Sequence, residues 1–269
     1  MAKIGFIGAG NMAEAIIKGV IDAKIYKSKD IVISDVRAGR VKSLCKKYRV
    51  SPVSDNCKLT RAVNILILSV KPQNMQDVLK EIKKAIAKNL LIVSIAAGIT
   101  TKRIQKILGN VAAIRVMPNT PALIGQGAAA IYATKNAKSK VGTVKRIFSA
   151  VGLAVEVSDE KLMDSVTAVS GSGPAYFFLL MEAMIKTAQK LGLKKELAEK
   201  LVLQTAKGAG LLAVEALKDR QTPDILRRNV TSPGGTTEAA MKVFSKRKFE
   251  KIVNDALRAA ANRSEQLSR

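Results

Sequence analysis

The chain has 269 residues, 48% of them hydrophobic, enough for one large core or two of moderate size, and no stretch has the composition of a disordered tract. It contains no histidine, which removes the usual general base near neutral pH, the serine and cysteine triads that depend on it, and the commonest zinc ligand. The formal net charge of +25 comes from scattered lysines and arginines without aromatic interleaving or a basic tail. It reads as a solvated basic surface whose field attracts an anionic cofactor or substrate, and no nucleic-acid partner is expected.

At the N-terminal end, the apolar residues 4–15 are interrupted by glycines and polar side chains where a secretory signal needs an unbroken run, so a cytoplasmic chain is expected. Short β-branched runs then alternate with amphipathic helices, the pattern of a parallel sheet covered on both faces. They predict strands over 3–8, 31–35, 64–69, 90–95, 111–116, 127–133 and 152–157. Between the first two, Met12, Ile16, Ile17, Val20 and Ile21 share one helix face while Glu14, Lys18 and Asp22 share another. Cys45 and Cys57 lack metal-type spacing and further partners, so free thiols and no metal site are expected.

After about residue 158 the β signal stops and the pattern is helical from Lys161, broken at 170–174 and 231–235. The division predicted is a dinucleotide-binding domain over 1–158 and a helical domain over 159–269. Residues 176–185 are apolar nearly all round, which suits burial between subunits. The apolar run 175–185 contains Glu182 and is shorter than the roughly 20 residues that cross a bilayer, so no membrane span is expected. In the last helix Phe249, Ile252, Val253, Ala256, Leu257 and Ala260 form one stripe.

The chemistry begins at Gly8-Ala9-Gly10-Asn11-Met12-Ala13, a G-x-G-x-x-A fingerprint lying between a strand and a helix, where its mechanism needs it. Gly8 permits the tight turn, Gly10 lets a pyrophosphate approach the backbone, and Ala13 allows close helix packing. The second strand ends at Ser34-Asp35. A carboxylate there suits the ribose 2′-hydroxyl of NAD, whereas Arg37 and Arg40 suit the 2′-phosphate of NADP or simply solvent, so the cofactor stays open at this point. Three loops after later strands, Val70-Lys71-Pro72, Ala96-Ala97-Gly98 and Met117-Pro118-Asn119-Thr120-Pro121, would line the same crevice. In the helical half, Ser170-Gly171-Ser172-Gly173-Pro174 reads as a helix start with proline in its first turn. Residues 229–237 offer hydroxyls and a glycine-freed backbone just before another helix, which suits either capping or a small carboxylate.

Taken in order, the fingerprint, Val70-Lys71-Pro72, Ser94-Ile95-Ala96-Ala97-Gly98, Arg115-Val116-Met117-Pro118-Asn119-Thr120-Pro121, Ala168-Val169-Ser170-Gly171-Ser172-Gly173-Pro174-Ala175 and Thr231-Ser232-Pro233-Gly234-Gly235-Thr236-Thr237 resemble the pyrroline-5-carboxylate reductase family over essentially the whole chain. That resemblance implies an α/β fold, a Rossmann-type doubly wound sheet followed by an all-helical dimerisation domain. It implies reduction of a cyclic imine to L-proline, the last step of proline synthesis, with NADPH and with NADH as the second cofactor. The partners it implies are the small-molecule substrate and a second copy of the chain, the dimers assembling further, commonly into decamers. It places Ile7, Gly8, Ala9, Gly10, Asn11, Met12, Ser34, Asn56, Ser69, Val70, Lys71, Pro72, Ile95, Ala96 and Ala97 against the cofactor, and the expected cofactor set also takes in Asp35, Arg37 and Asn119. Asn229, Ser232, Gly235, Thr236 and Thr237 fall to the substrate, with Thr237 the expected catalytic hydrogen-bonding side chain. Asp35 departs from the family pattern, since members preferring NADPH usually carry a small or neutral residue there.

Two rival readings stay in view. A β-hydroxyacid dehydrogenase shares the plan but resembles its relatives in a Lys-x-x-x-Asn motif, and here Lys186 is followed four residues on by Lys190. A non-catalytic NAD(P) sensor or nucleic-acid-binding protein would be free to lose 231–237, which this chain retains entire.

Overall fold

The computed structural model describes residues 3–268. Eight strands form one sheet: β1 (Ile4–Ile7), β2 (Ile31–Ser34), β3 (Ser51–Pro52), β4 (Ile65–Leu68), β5 (Leu91–Ser94), β6 (Ala112–Met117), β7 (Gly127–Ala133) and β8 (Gly152–Glu156). Their order across the sheet is β3-β2-β1-β4-β5-β6-β7-β8. The first six run parallel, β7 is antiparallel to β6, and β8 runs parallel to β7. β1, β2, β4 and β5 are buried at every residue, as strands covered on both faces must be. The strand at 51–52 is a correction to the seven expected. It has two residues, one of them proline, and its hydrophobic pattern is too short to show.

Helices α1 (Asn11–Asp22), α2 (Ala38–Tyr48), α3 (Asn56–Arg61), α4 (Met75–Ile82), α5 (Thr101–Leu108) and α6 (Val141–Ser149) connect or flank these strands. One face of the sheet packs Phe6, Ile33, Ile67 and Val93 against Ile16, Val20, Leu44 and Phe148 from α1, α2 and α6. The other packs Ile7, Leu66, Leu68 and Ile92 against Leu59, Leu79 and Ile104 from α3, α4 and α5. The chain leaves β1 toward β2 on one side and later returns to place β4 on the other, so the two neighbouring strand ends open a crevice at the point of reversal.

Helices α7 (Leu162–Val166), α8 (Gly173–Lys190), α9 (Lys195–Ala216), α10 (Pro223–Asn229), α11 (Thr236–Lys246) and α12 (Phe249–Ser268) follow. The expected break at 170–174 is not a loop: Thr167–Gly171 forms a π-helical turn, and Pro174 sits in the first turn of α8, where its missing N–H costs nothing. The break at 231–235 is present, between α10 and α11.

By packing the chain divides into two compact units, the described residues through Pro174 with those from Arg258 onward, and Ala175–Leu257. In the first unit, Arg115 on β6 is 1% exposed and faces Glu160 and, on α7, Asp164, which in turn holds the end of α12 through Ser264. Its Nη1 lies 3.7 Å from Glu160 and its Nη2 3.8 Å from Asp164. Glu160 accepts the Thr101 N–H and hydroxyl at 2.7 and 2.6 Å, and Asp164 accepts the Ser264 hydroxyl at 2.7 Å. Burial pulls the Arg115 pKa down and the two carboxylates oppose that pull. In the second unit large apolar side chains face outward: Phe177, Phe178, Leu179, Leu211, Leu212 and Val214 are all exposed. The helical run Leu162–Lys190 is long and apolar enough to cross a membrane by length and composition.

Candidate active site

The loops after β1, β2, β4 and β5 all leave parallel strands at their carboxyl ends and so open on one edge of the sheet. Gly8 turns there with φ +95°, and a Cβ on it would lie 2.7 Å from the backbone of Ser69, so only glycine fits. Around Gly10 nothing stands within 4 Å of where a Cβ would be. Gly10 is also the N-cap of α1 and supplies no side-chain cap, so the first amides of that helix point at open space with the positive end of its dipole. Uncapped amides beside open space fit a dinucleotide pyrophosphate.

The surrounding residues are drawn together by hydrogen bonds. Gly8 N–H donates to the Ser34 carbonyl at 2.8 Å, the Ser34 hydroxyl to Asn56 Oδ1 at 2.8 Å, and the Ser69 hydroxyl to the Ile7 carbonyl at 3.1 Å. The Asp35 carboxylate accepts the Ala9 N–H at 2.7 Å, the Arg37 N–H at 2.9 Å, and the Arg37 Nε and Nη2 at 2.9 and 3.0 Å. Hydrogen bonding from the Arg37 side chain, against the pull of burial, holds the Asp35 carboxyl at about 2. Arg40 is used otherwise: its Nε donates to the Ala9 carbonyl at 2.7 Å and its Nη2 to Glu14 at 2.5 Å. Lys47 and the Tyr48 hydroxyl also donate to Glu14, each at 2.9 Å. Burial would raise the Glu14 carboxyl, but these donors, Lys47 first, bring it down to about 2. The Ala9 peptide is thus clasped from both sides by the segment after β2. The sequence placed Glu14 on a polar helix face but gave no sign of this hub, whose donors lie 26 to 34 residues away.

Val70, Lys71 and Pro72 follow β4, Pro72 opening a short 3-10 turn, and Ile95, Ala96 and Ala97 follow β5 with Ala96 buried. Asn119 is held at both ends of its amide: Nδ2 donates to the Ser170 carbonyl at 3.0 Å and Oδ1 accepts the Ala128 N–H at 2.8 Å. It ties the loop after β6 to the π-helical turn.

In the second unit Asn229 ends α10, Gly235 is the N-cap of α11, and Thr236 and Thr237 open that helix. Gly235 offers no side-chain cap, and its N–H donates to the Ser232 carbonyl at 3.0 Å. Glu238 accepts the Gly234 N–H at 3.1 Å and is neutralised by Lys242 at 3.1 Å. Thr236, Ser232 and Asn229 are exposed and Thr237 is half-buried. An uncapped, hydroxyl-flanked helix start of this kind can hold a carboxylate. Capping by these side chains, the alternative open in the sequence, is not made in the structure.

Residues 160–267 match the family described as pyrroline-5-carboxylate reductase dimerisation, and residues 3–98 match that described as coenzyme F420-dependent NADP oxidoreductase. The pyrroline-5-carboxylate reductase of Pseudomonas aeruginosa is 44% identical over 268 residues, covering 99% of this chain and 97% of that one. The chain belongs to the pyrroline-5-carboxylate reductase family. Another member, from Synechocystis, is 41% identical over 99% of this chain and 98% of its own. Among solved structures, the pyrroline-5-carboxylate reductase of Coxiella burnetii superposes with TM-score 0.92 at 38% identity, covering 100% of this chain and 99% of that one. The Plasmodium falciparum pyrroline carboxylate reductase, solved with NADP bound, gives 0.88 at 32% identity over 100% and 98% of the two chains. Prephenate dehydrogenase from Aquifex aeolicus, at 14% identity and TM-score 0.55, shares the fold alone.

Proposed function

We propose that the chain reduces 1-pyrroline-5-carboxylate to L-proline with NADPH or NADH as reductant. The observation that carries this reading is the glycine cradle, open above Gly10 and uncapped at α1, in a chain related along its whole length to reductases named for that substrate. The reduced nicotinamide, when bound, supplies the hydride. The amides of Asn11 and Met12 hold the pyrophosphate, Asp35 and Arg37 face the adenosine ribose, and Ser69 to Pro72 with Ile95, Ala96 and Ala97 wall the crevice.

On the substrate side, the amides at the start of α11 and the hydroxyls of Ser232, Thr236 and Thr237 clamp the carboxylate, with Asn229 beside them, and Thr237 hydrogen-bonds the ring nitrogen. An imine asks for less than a ketone. Its nitrogen takes a proton from water before reduction and no alkoxide needs neutralising, so a chain without histidine suffices. Orientation of the ring then supplies most of the rate.

The same reading takes residues 159–269 as the substrate-binding and dimerisation half. The exposed apolar face of α8 is covered by a second copy of the chain and not by lipid, a choice supported by the dimerisation match over 160–267. Further assembly of the dimers, to a decamer, and a cytoplasmic location belong to it too. The free state of Cys45 and Cys57 fits the latter.

The test is spectrophotometric: oxidation of NADPH and NADH followed with pyrroline-5-carboxylate. Thr237→Ala should lower kcat/KM for the imine about 10-fold or more, the usual worth of a hydrogen bond made at the reacting centre. Unchanged constants would remove Thr237 from the mechanism, and no oxidation of either nucleotide by the wild-type chain would remove the function.

A further inference from the structure

The end of β2 carries a residue that the family pattern does not explain. A carboxylate there ordinarily grips a ribose hydroxyl, which requires a free oxygen lone pair. In this chain Asp35 has little to spare: its two oxygens take four donors, the Ala9 N–H, the Arg37 N–H, and Nε and Nη2 of the same arginine. Its side chain is only 7% exposed, whereas that of Arg37 is 63% exposed. The pairing is two-pronged along one edge of the guanidinium, leaving Nη1 and the second hydrogen of Nη2 without a protein partner.

Elimination among neighbouring cations leads to the same residue. Arg40 is spent on the Ala9 carbonyl and Glu14, and Lys47 on Glu14.

We propose that Asp35 is a positioning residue that fixes Arg37 for the 2′-phosphate of NADPH, so that this chain prefers NADPH to NADH although it carries a carboxylate at the ribose-clamp position. The Ala9 N–H anchors Asp35 to the glycine loop, Asp35 orients Arg37, and Arg37 presents a preset fork to a dianion. The inference rests on the dinucleotide reading of the preceding section.

The experiment is calorimetric titration of the full-length chain, without imine, with NADPH, NADH and 2′,5′-ADP. The wild-type chain should bind NADPH roughly 10-fold or more tightly than NADH, the worth of one charge-assisted fork. Asp35→Ser should weaken NADPH and 2′,5′-ADP about 5- to 10-fold and NADH distinctly less, so that the ratio of the two affinities falls; Asp35→Asn, which keeps an acceptor for Ala9, should recover part of the loss. A residue that merely supports the loop would move both cofactors together and leave that ratio unchanged. Arg37→Ala should lower the ratio in the same direction, and provides the readout should the Asp35 variants fail to fold by circular dichroism.

The assignment is overturned if the wild-type chain prefers NADH, if Asp35→Ser costs NADH more than NADPH as a ribose clamp would, or if the ratio does not move. Each of those leaves the reductase reading standing. Binding of neither nucleotide would overturn both.

Discussion

Replacing Arg115 by methionine should destabilise the nucleotide-binding unit without touching the cradle. The arginine is fully buried on β6, faces two carboxylates just beyond hydrogen-bond distance, and leaves its buried Nη2 without a hydrogen bond. Removing one member of a buried ion cluster costs roughly 3–5 kcal/mol when the remaining charges are left stranded. Here Glu160 keeps the Thr101 N–H and hydroxyl, Asp164 keeps Ser264, and the two carboxylates are 18% and 20% exposed, so water and these donors soften the loss. The expected cost is therefore nearer 2–3 kcal/mol, or a fall in Tm of about 5–10 °C for a unit of this size. Urea and thermal unfolding at fixed protomer concentration measure it, the fixed concentration being needed because subunit association adds to apparent stability. Combining Arg115→Met with Glu160→Gln and Asp164→Asn removes the stranded charges and should recover at least half of the loss. If the single variant lies within about 0.5 kcal/mol of wild type, or the triple is as unstable as the single, the cluster is not the tie described here.

Glu14 gives a pH prediction. Its carboxyl sits at about 2 when folded against an ordinary 4.5, so its contribution is fully present above about pH 4.5 and is lost as pH falls toward 2. Discounted for solvent screening it is worth about 1–2 kcal/mol. Glu14→Gln should be less stable by that amount at pH 7, and the gap should close in acid; a gap that is flat across pH 2–7 would refute the charge assignment. Gly8→Ala and Gly10→Ala should separate folding from binding. The first drives a methyl into the Ser69 backbone at a positive φ and should cost the fold several kcal/mol, whereas the second meets only open space and should unfold like wild type while losing dinucleotide affinity by calorimetry. Leu179→Glu, on the exposed face of α8, should shift the chain from dimer toward monomer in sedimentation at micromolar concentration, and an unaltered dimer would place the interface elsewhere.

Much of the frame was readable from residue order alone. The parallel strands are runs of apolar residues because both their faces are covered, and the glycine fingerprint announces itself by lying between β1 and α1. Features set by distant partners were not readable. Arg115 shows in the sequence only as one charge inside an apolar strand, with its partners 45 and 49 residues away. The π-helical turn was hidden because Gly171, Gly173 and Pro174 have the composition of a break, while the helix passes through them by widening one turn and admitting proline where a helix tolerates it. The rivalry between Asp35 and the two arginines also looked different in sequence. Spacing offers them as competing signals, and only their side-chain geometry turns Asp35 and Arg37 into one unit and withdraws Arg40 to Glu14.

The far end of α12 has a consequence for synthesis. Residues from Arg258 onward pack with the nucleotide-binding unit, where Ser264 satisfies Asp164. A nascent chain emerging from the ribosome therefore exposes a sheet whose last helical piece has not yet been made, with one acidic side chain awaiting its donor. That unit completes its packing only after the intervening helices, and then residues 258 onward, have left the exit tunnel. A fusion or truncation at the C-terminal end should accordingly disturb the first half of the molecule before the second.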